Sequence, residues 1–238
     1  MITSRNVLAI IPAHNESRSI EKVIRELRSA EPKVDILVVN DASTDDTSKI
    51  ARSLGVKVAE LPFNLGIGGA VQTGFMIARQ LNCDFVVQVD ADGQHDPTSV
   101  TALIEPLLRG EADITIGSRH LLNGTEKTTF MRHIGNRFFS WLASQATSQT
   151  ITDCSSGFRG LNASAYELFA KTYPVDFPDA EAIIAAHRAG LRIVEVPARF
   201  RARDQGRSSL RSWRMLYYPF KEILSIAVMM TRKPRNAP

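Results

Sequence analysis

The sequence predicts an α/β fold in which a mainly parallel sheet carries helices on both faces. Several short segments are apolar along their whole length, as strands buried on both faces of a parallel sheet are. These segments alternate with segments whose apolar residues recur at helical spacing, which is typical of strand–helix–strand units. The 238 residues are 44% hydrophobic and 23% charged, a composition typical of a globular protein with a sizeable core.

The elements of the first half follow from this alternation in chain order. Residues 7–13 are a wholly apolar strand, and residues 17–30 have the apolar spacing of a helix. A second apolar strand spans 34–41, and the helix at 43–55 has a capping residue, an acidic first turn and a final glycine. The remaining predicted elements are a strand at 56–62, a helix at 67–81, a strand at 84–92, a helix at 97–110 and a strand at 112–118.

The second half of the chain is less regular. Its predicted elements are a helix at 128–149, a loop leading into a short strand at 152–162, a helix at 180–190 and a strand at 191–200. The tail is predicted to be helical with a break at Pro219, because proline lacks the N–H that a helix uses. We expect one domain at 1–210 and a C-terminal amphipathic, basic helical tail at 211–238.

Composition narrows the class of protein. The two cysteines, Cys83 and Cys154, predict no disulfide framework and fit a reducing cytoplasm. The N-terminal segment lacks the pattern of a signal peptide, and the apolar run at 223–230 is too short to span a bilayer. The formal net charge is +4, but from Arg201 onward nine basic residues face only two acidic ones. Such a tail suits phosphate, anionic lipid or nucleic acid, or serves only as a solvated tail.

Polar clusters follow three of the predicted strands. They read "PAHNE" at 12–16, "NDAS" at 40–43 and "DAD" at 90–92. The carboxyl ends of parallel strands lie at one edge of the sheet, and ligands of such sheets bind there. We therefore expect these clusters to converge on one site.

Asp90 and Asp92 are candidates for a shared divalent cation. In an extended backbone, residues i and i+2 point to the same side, and Gln94 would join them if the extension continues. Oxygen donors in small number suit Mg²⁺ or Mn²⁺ completed by phosphate oxygens and water. His95 is a possible further ligand. The alternative is a polar loop that only closes the strand.

Glycines and arginines add weaker signals. Gly66, Gly68 and Gly69 lie at the start of a predicted helix, whose N-terminus favours anions, although a purely structural turn explains them as well. Their spacing is not the dinucleotide-binding fingerprint. The planar guanidinium of arginine binds phosphate through bidentate hydrogen bonds. The arginines near predicted strand ends and loops, which could equally be surface or salt-bridging residues, are Arg119, Arg132, Arg159 and Arg203.

The combined motifs resemble family 2 glycosyltransferases of GT-A fold, in particular the dolichol-phosphate mannose synthase and polyprenyl-phosphate glycosyltransferase branch. The motifs that carry the resemblance are "IIPAHNES", "VVNDASTDDT", "FNLGIGGAVQTG", "VQVDADGQHDP", "IGSR", "DCSSGFRG" and "EVPARFRARDQGRSS". They cover nearly all of residues 1–210, which would be the catalytic domain. The Q-x-x-R-W motif of processive polysaccharide synthases is absent, which argues against processive polymerisation.

The resemblance implies roles for individual residues. Those implied for nucleotide-sugar binding are Pro12, Ala13, Asn15, Glu16, Asp41, Gly66, Gly69, Asp90 and Ala91. Those implied as metal ligands on the diphosphate are Asp90, Asp92 and Gln94. Those implied for binding donor or acceptor phosphate are Arg119, Arg132, Arg203 and Ser208. The implied catalytic set is Asp92, Arg119, Asp179 and Glu181.

The implied reaction is an inverting, Mg²⁺- or Mn²⁺-dependent transfer of a hexose from a UDP- or GDP-sugar to undecaprenyl or dolichyl phosphate. A lipid phosphate is already ionised and needs no general base, whereas a hydroxyl acceptor on a lipid-linked glycan would need one. Asp179 and Glu181 are the candidates for that base, and a helix N-cap with a first-turn acid explains them equally well. A third alternative is a catalytically silent nucleotide-sugar-binding subunit recruited to a membrane.

Expected partners follow from the same resemblance. They are a nucleotide-sugar, a lipid-linked acceptor and the membrane surface, with no nucleic acid. Aromatic and aliphatic residues flanked by Arg and Lys at 211–235 suit a helix lying in the membrane interface, or else one packed on the domain or in a dimer. We expect a cytoplasmic protein, peripheral on the inner face of the membrane, with a homo-oligomer or membrane-protein partner left open.

Overall fold

A computed structural model describes residues 6–122, 130–174, 176, 178–201, 221, 223–228 and 231, with the backbone alone for 130–134. One sheet holds seven strands in the order β3-β2-β1-β4-β6-β5-β7. The strands are β1 (Val7–Ala13), β2 (Asp35–Asn40), β3 (Lys57–Glu60), β4 (Phe85–Gln88), β5 (Ile114–Ser118), β6 (Arg159–Asn162) and β7 (Ile193–Pro197). All neighbouring pairs are parallel except the two that involve β6.

Helices cover both faces of this sheet. They are α1 (Ile20–Ala30), α2 (Thr47–Ser53), α3 (Gly66–Gln80), α4 (Val100–Leu108), α5 (Phe130–Thr147), α6 (Ala163–Thr172) and α7 (Ala180–Arg188). Successive residues of a strand point to opposite faces, so β1 contributes to two cores. Leu8 and Ile10 join the core that includes α3, α6 and α7, whereas Ala9 and Ile11 join the core that includes α1 and α4. The predicted fold, with helices on both faces, is confirmed.

Strand β6 is antiparallel to both of its neighbours, and this direction brings a further loop to the site. Gln88 at the end of β4 pairs with Arg159 at the start of β6. The amino end of β6 therefore lies at the edge where the parallel strands have their carboxyl ends. The loop that precedes β6, at 152–158, reaches the predicted ligand edge although no parallel strand leads into it.

Two elements differ from the sequence prediction. The strand predicted at 84–92 ends at Gln88, and the chain turns after Asp90, with Gly93 at a φ of 77°. The extended geometry on which the same-side argument for Asp90, Asp92 and Gln94 depended therefore stops before Asp92, and that argument is wrong. Helix α6 was not predicted. Its N-cap, Asn162, accepts a hydrogen bond from the Ala165 N–H at 3.0 Å, and Tyr166 is among the residues that it buries.

Part of the C-terminal tail packs on the domain. Residues 221 and 223–228 are helical, Ile226 is buried in the core beside α7, and Lys221 lies 3.1 Å from Asp176. Leu224 on the same helix is 57% exposed. The predicted break at Pro219 lies outside the described residues, and the domain boundary at 210 stays a prediction. Within the part of the chain that the structure describes, no helix is both long and apolar enough to cross a bilayer.

Candidate active site

Asp41 fastens the loops after β1 and β2 to the start of α3. Its backbone N–H donates to the Ala13 carbonyl at 2.8 Å. Its buried carboxylate accepts from the N–H groups of Leu65 and Gly66 at 2.7 and 2.9 Å. These N–H groups lie at a helix start, where negative charge is favoured. The predicted convergence of the first two strand ends is thus built around Asp41, a carboxylate that holds the fold of the site.

The "PAHNE" segment is fixed to the loop after β2. Pro12 and Ala13 are the buried last residues of β1. Asn15 has a φ of 57°, donates its N–H to the Ser43 hydroxyl at 2.9 Å and accepts from the Thr44 N–H at 2.8 Å. Glu16 donates its N–H to the Thr47 hydroxyl at 2.9 Å. These contacts hold the four predicted nucleotide-binding residues of this segment at one edge of the sheet, beside Asp41.

The two glycines predicted to line the nucleotide pocket have different structural causes. Gly66 has a φ of 78°, a backbone conformation that residues with a side chain rarely adopt. A Cβ on Gly69 would lie 2.5 Å from the Leu65 Cβ, which leaves no room for a side chain. Gly66 is thus required by backbone conformation and Gly69 by packing. A purely structural role explains both glycines, and their contact with a nucleotide stays a prediction.

The tip of β4 carries the predicted metal ligands. The Asp90 side chain is 35% exposed and Ala91 is buried. Asp92 accepts a hydrogen bond from the Gln94 N–H at 3.0 Å, which closes the turn. The Gln94 side-chain amide points its Nε2 to the Arg201 carbonyl at 3.5 Å. The segment is therefore a hydrogen-bonded turn and not a continuation of the strand.

His95 contacts Asp90 through both ring nitrogens. Its Nδ1 accepts from the Asp90 backbone N–H at 3.0 Å, and its Nε2 lies 3.4 Å from Asp90 Oδ2. The ring is 5% exposed, stacks on Phe158 at 4.6 Å and meets the edge of Phe200 at 5.1 Å. The hypothesis that His95 is a further metal ligand is not supported, because its nitrogens face Asp90.

The loop before β6 packs directly on Asp90. A Cβ added to Gly157 would lie 3.0 and 3.1 Å from the two Asp90 carboxylate oxygens and 3.1 Å from Gln88 Nε2. A side chain at this position would therefore displace the Asp90 carboxylate by a few tenths of an ångström. Gln88 Oε1 is buried and has no hydrogen-bond partner among the described residues. Sequence reasoning missed both residues, because Gln88 reads as part of a buried strand and Gly157 as an ordinary loop glycine.

Arg119 is held by a buried aspartate. Its Nε and one Nη lie 2.7 and 2.8 Å from the two carboxylate oxygens of Asp153, whose side chain is fully buried. The guanidinium also lies over the Phe200 ring at 5.0 Å. Burial alone would raise the pKa of Asp153, but the hydrogen bonds and charge of Arg119 lower it below its ordinary value. Arg119 is thus a fixed cation near the strand ends, and its contact with phosphate stays a prediction.

Arg159 is a structural arginine. It is 4% exposed and donates to the carbonyls of Ser156 at 2.9 Å and Pro178 at 2.8 Å. Further donations reach the carbonyls of Cys154 and Asp179. The guanidinium therefore joins the loop before β6 to the turn before α7, and the alternative of a phosphate-binding fork is wrong for this residue.

Asp179 lies in the electrostatic field of the site. The pKa of this carboxyl group is raised to about 6, mainly by burial; the charges of Asp90 and Asp153 contribute to the rise and the charge of Arg159 opposes it. Asp179 precedes α7, but its side chain does not cap the helix. Asp179 thus occupies the predicted N-cap position and Glu181 is the predicted first-turn acid, but no capping hydrogen bond is made. A carboxyl group whose pKa is raised and which interacts electrostatically with Asp90 is a candidate for proton transfer.

Glu181 points elsewhere. Its pKa is raised by burial, and its carboxyl group accepts a hydrogen bond from Ser225 in the C-terminal helix. The structure therefore separates the two predicted bases: Asp179 interacts with Asp90, and Glu181 binds the tail. Of the remaining predicted residues, Arg203 and Ser208 lie outside the described residues, and Arg132 is described only by its backbone in α5.

The tip of β4 fits a divalent cation that is shared with a substrate. No group of three or more His, Cys, Asp or Glu side chains that could hold a metal is found in the described ranges. Two carboxylates and an amide oxygen are nevertheless a donor set that suits Mg²⁺ or Mn²⁺, because such ions are often held by one or two carboxylates plus substrate phosphates. The absence of a side chain at Gly157 leaves room for the Asp90 carboxylate in that set.

Comparison with known proteins identifies the family. The family model described as Glycosyl transferase family 2 matches residues 8–169. The chain belongs to glycosyl transferase family 2. This family 2 glycosyltransferase is 33% identical over 221 residues to an undecaprenyl-phosphate mannosyltransferase of Micrococcus luteus, which covers 86% of this chain and 87% of the relative. It is 32% identical over 215 residues to a UDP-N-acetylglucosamine–dolichyl-phosphate N-acetylglucosaminyltransferase of Methanococcus voltae, with coverages of 80% and 84%.

The fold of this glycosyltransferase is also that of a solved relative. Glucosyl-3-phosphoglycerate synthase from Mycobacterium tuberculosis, in complex with Mn²⁺, uridine diphosphate and phosphoglyceric acid, superposes with a TM-score of 0.67 at 20% identity. The match covers 96% of this chain and 79% of that chain. The GT-A fold and the resemblance to the polyprenyl-phosphate glycosyltransferase branch are both confirmed.

Proposed function

We propose that this glycosyltransferase moves a hexose from a UDP- or GDP-sugar to a polyprenyl phosphate, in one displacement with inversion at the anomeric carbon. The observation that carries the proposal is the Asp90–Asp92 turn at the tip of β4, held against Gly157 and beside the loops that Asp41 fastens. The names of two relatives, which transfer sugars to undecaprenyl and dolichyl phosphate, support the acceptor class.

On the donor side, Asp90, Asp92 and Gln94 would hold Mg²⁺ or Mn²⁺ against the diphosphate. Such an ion supplies Lewis-acid stabilisation of the leaving nucleoside diphosphate. Pro12, Ala13, Asn15, Glu16 and Ala91 would line the base and ribose pocket, together with Gly66 and Gly69. Asp41 contributes by fixing the loops of that pocket, since its carboxylate is hydrogen-bonded to the start of α3.

On the acceptor side, a phosphate needs cations and no base. Arg119 is held in place by Asp153 and would meet phosphate as a pre-oriented guanidinium. Arg132, Arg203 and Ser208 are proposed to complete this acceptor site. An ionised phosphate oxygen attacks directly, so Asp179 would not be required for this reaction.

The acceptor implies a membrane surface, at the cytoplasmic face. In the C-terminal helix, Ile226 packs on the domain while Ile223, Leu224 and Val228 are exposed. Trp141 on α5 is also 57% exposed. Apolar residues beside basic ones suit contact with a bilayer of anionic lipid. A homo-oligomer or a membrane-protein partner would cover the same residues.

Thermal stability against a panel of UDP-, GDP- and TDP-sugars, with Mn²⁺ and with chelator, tests the donor side. A ligand at a hundred times its dissociation constant adds about 2.7 kcal/mol to the free energy of unfolding. We expect a shift for one nucleotide, present with Mn²⁺ and lost with chelator or in Asp92→Ala. No shift with any donor, together with no release of nucleoside diphosphate when lipid phosphate is added, would contradict the proposal.

A second candidate acceptor is a sugar hydroxyl on a lipid-linked glycan, and the placement of Asp179 favours it. General-base catalysis contributes about 10²- to 10⁴-fold. Asp179→Asn is therefore expected to lower the rate by at least about 100-fold with a hydroxyl acceptor, and to change it only severalfold with polyprenyl phosphate. Glu181→Gln is the matched control, because Glu181 bonds Ser225 and not the site. Initial rates of nucleoside diphosphate release with each acceptor decide between the two.

A further inference from the structure

His95 is buried and contacts its neighbours through both ring nitrogens, although it lies in a loop. It is 5% exposed, and a buried polar side chain is costly unless its polar atoms are partnered. Both of its nitrogens face one residue, Asp90. The proposed metal ligand Asp90 is therefore contacted by a buried histidine through both ring nitrogens.

The hydrogen bonds fix the tautomer of this imidazole. A backbone N–H only donates, so the Nδ1 that receives the Asp90 N–H at 3.0 Å carries a lone pair. The proton of the neutral ring is then on Nε2, and this N–H faces Asp90 Oδ2 at 3.4 Å. That separation is long for a hydrogen bond, so the contact at Nδ1 is the principal anchor.

The ring itself is immobilised by two aromatic residues and by the chain. Phe158 stacks on it at 4.6 Å with an interplanar angle of 11°, and Phe200 meets it edge-on at 5.1 Å. His95 also forms an antiparallel bridge with Phe200, and the Arg201 N–H donates to the Gln94 carbonyl at 2.7 Å. Because the ring is held on one face by Phe158, at right angles by Phe200 and along its backbone, we infer that it holds Asp90 in place.

We propose that His95 is a positioning residue for the metal: it holds the Asp90 main chain, and with it the carboxylate, in the orientation that binds the cation of the donor complex. This inference rests on the proposed metal-dependent function and adds a residue to it. Partners of metal-binding carboxylates typically change metal affinity by about 10- to 100-fold when they are replaced.

The test is Mn²⁺ binding by the full chain, measured from the EPR signal of the free ion with saturating UDP and, separately, GDP. His95→Phe keeps an aromatic ring in contact with Phe158 and Phe200 but removes both nitrogens. We expect it to raise the Mn²⁺ dissociation constant at least about 10-fold. Its affinity for the nucleotide in chelator should not change. At excess Mn²⁺ its transfer rate should recover, which a merely misfolded site would not do.

Two further variants separate anchoring from packing. Asparagine carries an amide oxygen near the position of Nδ1, whereas glutamine carries its amide near Nε2. We therefore expect Mn²⁺ to bind His95→Asn more tightly than His95→Gln, although both lose the ring. This comparison stands even if the phenylalanine variant does not fold. His187→Phe, on α7 and without a proposed role, is the control.

The outcomes separate this inference from the proposed function. Mn²⁺ affinity of folded His95→Phe within twofold of wild type, or equal affinities of the asparagine and glutamine variants, would mean that His95 only packs the loop. Wild-type protein that binds no Mn²⁺ with either nucleotide would overturn the metal assignment itself, and the role of His95 with it.

Discussion

Replacing Asp92 with asparagine is expected to lower kcat/KM for glycosyl transfer by at least about 100-fold, or about 2.7 kcal/mol of transition-state stabilisation. Asparagine keeps the size of the side chain and can still accept the Gln94 N–H, so the turn should survive. What it loses is the negative charge that a divalent cation needs where the diphosphate leaves. The effect should therefore fall on the chemical step and on metal dependence.

Nucleoside diphosphate release at several Mn²⁺ concentrations measures this effect. Asp90→Asn should behave in the same way, because the two carboxylates are proposed to share one ion. Asp46→Asn is a suitable control, since that side chain is 72% exposed and pairs only loosely with Lys49 at 3.9 Å. Full activity of Asp92→Asn in the presence of chelator would refute a metal role for this turn.

Asp153→Ala should have the largest effect on stability, a loss of about 3–5 kcal/mol in the free energy of unfolding. The change removes a fully buried carboxylate and leaves Arg119, whose side chain is only 21% exposed, without its two-pronged partner. Loss of one member of a buried ion pair costs more than loss of a surface pair, because the remaining charge stays poorly solvated. Asp35→Ala breaks the exposed pair with Lys57 and should cost at most about 1 kcal/mol.

Urea unfolding of the two variants at several pH values provides the measurement. The pKa of Asp153 is lowered in the folded state, so its contribution is fully present above the ordinary value of 3.8 and is lost as the pH falls through the folded pKa. The difference between wild type and Asp153→Ala should accordingly shrink in acid. A difference that is small at neutral pH, or that grows in acid, would mean that the pair does not stabilise the fold.

The sequence predicts those parts of the fold whose signal is local. Strands β1 and β2 are apolar on both faces, so their burial and their polar carboxyl ends were visible along the chain. The reversal of β6 depends on which strands lie beside it, and no local pattern carries that information. Helix α6 was missed because it is short and mixes alanine, tyrosine and charged residues, although Asn162 is a recognisable N-cap.

The same distinction applies to the site. Asp90 and Asp92 were predicted because they follow an apolar segment closely, whereas the partner of Arg119 is 34 residues away and could not be predicted. Asp179 and Glu181 looked equivalent in sequence. Asp179 lies before α7 with a non-helical ψ of −97°, whereas Glu181 is on the first turn of the helix. One therefore interacts with Asp90 and the other with the tail.

The bridge between His95 and Phe200 has a consequence for protein engineering. β7 is an edge strand of the sheet. The residues that follow it nevertheless reach the loop after the central strand β4, because Arg199 is hydrogen-bonded to Asp96 and Arg201 to Gln94. Arg201 also pairs with Asp96 at 3.2 Å. The chain that follows Arg201 thus begins beside the loop that carries Asp90 and Asp92, and not at the edge of the sheet. Chimaeras that exchange acceptor specificity between relatives should keep the hydrogen bonds of Arg199 and Arg201 to this loop and place the junction after Arg201.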